Sequence, residues 1–171
     1  MIRIPLTQGK VALLDDLDAD LALCAWYTFT ASRGGPPYAA RNVYLGVRRR
    51  TTVLLHREVW RRAHPGPLPA RIDHRNGDGL DCRRENLRAA TMAENVYNRR
   101  RHRNNRSGFK GVSWRPKIQR WTARIMVARR EQHLGCFATA EDAARAYDAA
   151  ARSAFGEFAC VNFPTGKERG A

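Results

Sequence analysis

"RIDHRNGDGLDCRRENLRAATMAEN", residues 71–95, decides how the chain is read. The whole sequence carries 31 Lys and Arg against 16 Asp and Glu, a formal net charge of +15. Residues 73–98 hold only four basic residues against five acidic ones, so this stretch alone breaks the basic pattern. "RIDH" and "NLRAA" read as two short strands, and "NGDG" between them supplies a turn with two glycines. "TMAE" at 91–94 has the T-x-x-E spacing of a capping box, opening a helix with Asn95 in its first turn. In an extended segment Asp73 and His74 point to opposite sides. A carboxylate, an imidazole and several asparagines are thus gathered in one acidic island.

Outside the island the composition points to a polyanion. Only four of the cations are Lys, and the Arg fork suits phosphate, although Arg richness by itself does not establish phosphate recognition. Hydrophobic residues make up 43% of the chain, enough for a core and too many for a disordered tail. No apolar run reaches the ~20 residues a bilayer span requires, and "MIRIPLTQGK" has no signal-peptide core, so the expectation is a cytoplasmic protein without membrane contact. The four cysteines, Cys24, Cys82, Cys136 and Cys160, form no C-x-x-C pair, which argues against zinc and against a disulfide framework.

Working outward from the island, "IRIPL-TQGK-VALL" reads as a hairpin and "DADLALCAW" as a short helix capped by Asp18 or Asp20. "YTFTAS", "YAARNVYLG" and "TTVLL" read as strands, with a turn at "RRR" 48–50. "HREVWRRA" has helical spacing in Val59, Trp60 and Ala63, and the prolines of "HPGPLP" end it. "RRRHRNNR", residues 99–106, adds five positive charges without apolar periodicity and reads as a linker. Beyond it, "GVSWRP", "RWTARIMVA" and "REQHLGCF" alternate as three strands. "TAEDAARAYDAAARSAFG" is a helix with Thr139 at its start and Gly156 past its end. Its stripe of Ala140, Ala143, Ala144, Tyr147, Ala150 and Ala154 lets it lie close on a sheet.

The island has the parts that phosphodiester hydrolysis needs. A divalent metal with few hard oxygen ligands keeps positions open for phosphate and water. A neutral His, with an ordinary pKa of about 6.5, is matched to activating water near neutrality. The "DH" pair, the twelve residues from His74 to Asn86 and the nine from there to Asn95 resemble the ββα-metal motif of HNH endonucleases of the phage and intron homing type. The resemblance extends over "IPLTQGKVALLDD…HREVW…DHRNGDGLD-RRENLR…N" and implies His74 as general base, Asp73 and Asn95 as metal ligands, and Asn86 as the brace of the loop that holds His74. It implies a divalent metal, magnesium first with manganese as the alternative, and no zinc. One residue departs from the family pattern. Cys82 stands where Asn is frequent: if that Asn only helps hold the turn, the replacement costs some stability, and if it contacts the phosphate or a metal-bound water, the replacement bears on activity. His56 reads as a helix-start or packing residue, and His64, His102 and His133 lack carboxylates at ligand spacing.

Residues 107–164, with "GV", "W-x-A-x-I", "LG-x-F", "A-x-x-A-x-x-AYD-x-A" and "NFP", resemble the plant ethylene-response-factor (APETALA-type) DNA-binding domain. The resemblance implies a three-stranded sheet in the major groove with the helix behind it. Alternation puts Val112, Trp114, Trp121, Ala123 and Ile125 on the core side. Lys110, Ser113, Arg115, Arg120, Thr122 and Arg124 are then the DNA-facing candidates, joined by Arg99, Arg100 and Arg101 of the linker. Ser113, Arg124, Met126, Glu131 and His133 differ from the usual plant contacts, so the fold and groove carry over and the target sequence does not.

The expected fold class is α+β: a β-rich N-terminal scaffold with a ββα-metal motif, then a three-stranded antiparallel sheet packed on one helix. Residues 1–98 form the first domain, with the motif at about 70–98; 99–106 is a basic linker, 107–165 the second domain and 166–171 a tail. The expected function is metal-dependent hydrolysis of double-stranded DNA, with no obligatory protein partner. The alternative is a non-catalytic DNA-binding regulator with a degenerate nuclease fold. Retention of Asp73, His74 and Asn95 together favours the enzyme. An RNA-binding protein would need exposed stacking aromatics, which the alternation places on the core side.

Overall fold

The computed structural model describes residues 1–31, 35–46, 49–102 and 104–165, so the tail 166–171 and part of the turn at 48–50 lie outside the described residues. The chain divides into two compact units, Met1–Thr91 and Met92–Ala171. Both combine antiparallel sheets with helices, an α+β architecture. No helix among the described residues is long and apolar enough to cross a membrane.

In the first unit, β1 (Ile2–Pro5) and β2 (Val11–Leu14) form the expected hairpin, with Ile2 opposite Leu14. The segment Asp16–Leu23, read from sequence as a capped helix, is instead a 3-10 segment kinked at Asp18. Tertiary pairing explains the difference. Asp18 is fully buried and accepts hydrogen bonds from Arg84 Nε and Nη2 at 2.8 and 2.9 Å, so its carboxylate is drawn inward rather than capping a helix. A meander follows, β3 (Tyr27–Phe29), β4 (Tyr38–Tyr44) and β5 (Arg50–Leu54), with β4 in the middle. The helix α1 (Leu55–Ala63) buries Leu55, His56 and Val59.

The acidic island folds as the ribbon β6 (Arg71–His74) and β7 (Leu87–Ala90), with Asp73 opposite Arg88 and His74 opposite Leu87. The loop between them is fastened to the hairpin: Leu13 N donates to Leu80 O and Cys82 N to Leu13 O, each at 2.9 Å. Leu80, Cys82 and Leu87 thereby join Ile4, Leu14, Leu21, Trp26, Leu55 and Val59 in one core. Cys82 is 0% exposed, so it is a core residue rather than an exposed turn residue. Gly79 is required by close approach, since a Cβ there would lie 2.4 Å from Pro37 O and 2.9 Å from the Tyr38 ring.

In the second unit, α2 (Met92–Tyr97) precedes β8 (Val112–Arg115), β9 (Arg120–Val127) and β10 (Arg130–Phe137), an antiparallel sheet with β9 in the middle. The helix α3 (Ala140–Phe155) starts as its sequence indicates, the Thr139 hydroxyl accepting from Asp142 N at 3.1 Å. Ala143, Ala144 and Ala151 are fully buried, which lets α3 lie close on the sheet. Gly111 has φ of 77°, and a Cβ there would lie 2.0 Å from Tyr147 Cδ2, so only glycine fits. The "AYD" and "NFP" motifs meet in a clamp. Asp148 Oδ1 accepts from Asn162 N at 2.7 Å, Asp148 Oδ2 accepts from Phe163 N at 2.8 Å, and Asn162 Oδ1 accepts from Lys110 N at 2.6 Å.

Candidate active site and DNA-facing sheet

The ribbon β6–β7 is buried on both sides where it matters. Asp73 and His74 are each 5% exposed, on adjacent positions of one strand. On one side Asp73 Oδ2 accepts from Arg88 Nε at 2.9 Å and Nη2 at 2.7 Å. The pair is 6% exposed at both partners, so it neutralises a carboxylate that burial would otherwise make costly.

On the other side His74 enters an aromatic cluster. Its ring centroid is 5.1 Å from that of His56, edge to face, and 5.8 Å from that of Tyr38, which itself lies 5.3 Å from His56. Burial pushes the His74 imidazole down to about 4, against the pull of Asp73, Asp78 and Asp81. Burial, followed by the neighbouring His74, pushes His56 down to about 3, and burial raises the Tyr38 phenol. At neutral pH both imidazoles are therefore uncharged, the form in which a histidine can accept a proton.

Asn86 spends both ends of its amide on the loop. Its Nδ2 donates to Asp81 O at 2.7 Å and Asn76 Oδ1 at 3.1 Å, while its Oδ1 accepts from Asn76 N at 3.0 Å. Asn76 Nδ2 in turn donates to Asp81 Oδ2 at 2.8 Å, and Gly77 N donates to His74 O at 2.8 Å. The loop between the strands is cross-braced through these amides, and His74 sits at its start. Asn95 lies on α2, partly buried, in the second compact unit.

Among the described residues no three or more His, Cys, Asp and Glu side chains gather as they would around a metal ion. Asp73 of the first unit is a carboxylate and Asn95 of the second an amide. Both offer hard oxygen and suit magnesium or manganese, leaving places for water and phosphate. A cation at Asp73 would share that carboxylate with Arg88.

Three neighbours of this site escaped the sequence reading: Tyr38, His56 and Arg88. Arg88 was accessible in principle, because pairing the two strands around the turn places it opposite Asp73. Nothing in local spacing joins Tyr38 and His56 to His74; only the fold does. His56 is indeed at a helix start and packed, yet it also borders the imidazole of the site.

On the sheet of the second unit, Ser113, Arg115 and Arg120 are exposed, as are Arg99, Arg100 and Arg101. The other candidates differ. Thr122 is 1% exposed, between Ser113 on β8 and Cys136 on β10, and so offers almost no free surface. Arg124 Nη1 is paired with Glu131 Oε1 at 2.7 Å. Lys110 Nζ donates to Tyr97 O and Arg99 O, each at 2.7 Å. Trp121 packs against the core of the module, whereas Trp114, expected inside, is 43% exposed and leans on Trp121 with ring centroids 5.1 Å apart.

Two segments of the chain are similar to known families. Residues 53–97 match the model of the HNH endonuclease family and residues 107–157 that of the AP2 domain. Protein 3.8 of Escherichia phage T7 is 38% identical over 80 residues, covering 46% of this chain and 64% of that protein. Ethylene-responsive transcription factor ERF084 of Arabidopsis thaliana is 53% identical over 58 residues, covering 33% of this chain and 22% of that protein. The chain therefore spans less than two thirds of either relative.

Proposed function

We propose that the protein is a divalent-metal-dependent endonuclease of the homing HNH type, hydrolysing phosphodiester bonds of double-stranded DNA in the cytoplasm of a bacterial or phage-infected cell. The observation that carries this reading is His74: a buried, uncharged imidazole directly after a buried carboxylate, at the start of a loop cross-braced by Asn86. Magnesium or manganese held by Asp73 and Asn95 would neutralise charge on the scissile phosphate and on its leaving oxygen. His74 takes a proton from the attacking water as its oxygen bonds to phosphorus and the bond to the leaving oxygen breaks. Phosphate entering beside His74 raises its basicity from the low value of the free protein. Asn86 keeps the loop, and with it His74, in place. Ser113, Arg115 and Arg120, with Arg99, Arg100 and Arg101, supply the cationic and polar surface that docks on the duplex.

The test is cleavage of supercoiled plasmid with magnesium or manganese, with EDTA as control. Metal-dependent nicking or linearisation that disappears in His74→Ala, with duplex affinity retained, is the expected result. Duplex binding without cleavage by the wild type under any divalent metal would leave a DNA-binding regulator.

A further inference from the structure

The helix α2 poses a physical problem. It has only six residues, Met92–Tyr97, far below the ~12–15 at which an isolated helix holds its shape in water. Its Met92 and Val96 side chains are exposed, so burial of an apolar face contributes little. Under it lies a cleft of about 520 Å³ lined by Ala93, Val96 and Tyr97 and by Ile125, Tyr147 and Phe155. Two contacts tie the end of the helix to the rest of the second unit. The Tyr97 ring stacks on Phe155 of α3, centroids 3.9 Å apart and planes within 9°. At the carboxyl end, Lys110 Nζ donates to the carbonyls of Tyr97 and Arg99, where a helix end leaves acceptors unsatisfied and favours a cation.

Lys110 is itself held on both sides of its backbone. Its N–H donates to Asn162 Oδ1 at 2.6 Å and its carbonyl accepts from Asn162 Nδ2 at 3.1 Å, while Asn162 is bonded to Asp148 of α3. An unbroken chain of hydrogen bonds runs from the middle of α3 through Asn162 and Lys110 to the end of α2. Burial lowers the Lys110 pKa, and the two carbonyls stand in for the water the ammonium has lost.

We propose that Lys110 and Phe155 are positioning residues for Asn95, so that the AP2-type module, besides gripping DNA, keeps formed the short helix that carries a metal ligand. This deepens the proposed function and rests on the reading of Asn95 as that ligand.

The test uses the full chain and manganese as the probe. Lys110→Met keeps the aliphatic stem and removes the donors. Amide exchange at residues 93–98 is expected to quicken while that of α3 stays as in the wild type. Manganese affinity by calorimetry and cleavage at saturating duplex are each expected to fall about tenfold or more. Lys110→Arg, which can still donate to carbonyls, is expected to recover both in part. Wild-type exchange at 93–98 in Lys110→Met, or a loosened helix with wild-type manganese affinity, overturns the proposal. Should Lys110→Met loosen α3 as well, Tyr97→Ala removes the stack from the α2 side, and wild-type manganese affinity there overturns it. Asn95→Ala separates the two readings. If that variant binds manganese normally, the ligand assignment fails, whatever Lys110→Met does to the helix.

Discussion

The two antiparallel structures that carry the polar residues of interest are built on opposite plans. The ribbon β6–β7 and its loop bury Asp73, His74, Asn86 and Arg88, with Asp73 paired to Arg88 and Asn86 bonded within the loop. The sheet β8–β9–β10 buries one face under α3 and leaves Ser113, Arg115 and Arg120 in solvent. The difference fits the two roles proposed for them. Proton transfer and metal binding gain from a dry, fixed environment in which charges are felt strongly. Groove recognition needs side chains that can reach phosphates and bases from an exposed face. The ribbon should therefore be sensitive to substitution and to acid, and the sheet to salt.

The largest effect expected on the ribbon is His74→Ala. Loss of a general base should slow plasmid cleavage by about 10²–10⁴-fold, with duplex affinity unchanged in a filter-binding or anisotropy assay. Cleavage at the wild-type rate would remove His74 from the chemistry.

Acid comes next. His74 and His56 have folded pKa values pushed down to about 4 and about 3, against about 6.5 unfolded. Above pH 6.5 both states hold the neutral ring and stability is full. As pH falls from 6.5 toward 4 and then 3, the unfolded chain takes up protons first, and stability falls by an amount on the order of several kcal/mol. Urea denaturation followed through Trp26 should show the loss at pH 4.5, and His56→Phe should reduce it. Among the described residues the cores of the second unit contain no histidine, so exchange protection on α3 should change less.

Arg88→Ala removes the guanidinium that neutralises the Asp73 carboxylate. The expected cost is about 3–5 kcal/mol by denaturation without metal; a cost near zero would mean that the ribbon tolerates the carboxylate unaided. Cys82→Asn is a smaller test. From sequence alone it should be mild, a turn residue restored to the frequent type. In the core it places an amide in the apolar cluster to which Cys82 belongs, and should cost about 1–3 kcal/mol. On the exposed sheet, Arg115→Ala and Arg120→Ala should leave stability alone. Each should make the log–log dependence of duplex affinity on salt shallower by about 0.9, and an unchanged slope in both would take phosphate contact away from this face.

The contrast between ribbon and sheet also explains what could be read before folding. The hairpin β1–β2, α1, and α3 with its Thr139 cap follow from local pattern, because propensity, capping and burial agree there. The order Asp73, His74, Asn86, Asn95 was legible because the loop spacing lies within one continuous segment. Tyr38 and His56 were not, since they reach His74 only through the long-range packing of β4 and α1. Asp18 turned inward to Arg84 over 66 positions of sequence, and an expected helix became a kinked 3-10 segment. Alternation placed Val112, Ala123 and Ile125 inside and Ser113, Arg115 and Arg120 outside as found, but it missed Thr122, which is hidden, and Trp114, which is half open.

The Asp148–Asn162 clamp has a practical bearing on how this module could be moved. The segment matched to the AP2 domain ends at residue 157, yet Asn162 and Phe163 close back on Asp148 beyond that limit, and Asn162 also fixes the backbone of Lys110. A graft cut at the family boundary would discard the fastener while keeping the parts it fastens. Transplanted to another protein, the module has to be kept through at least Phe163.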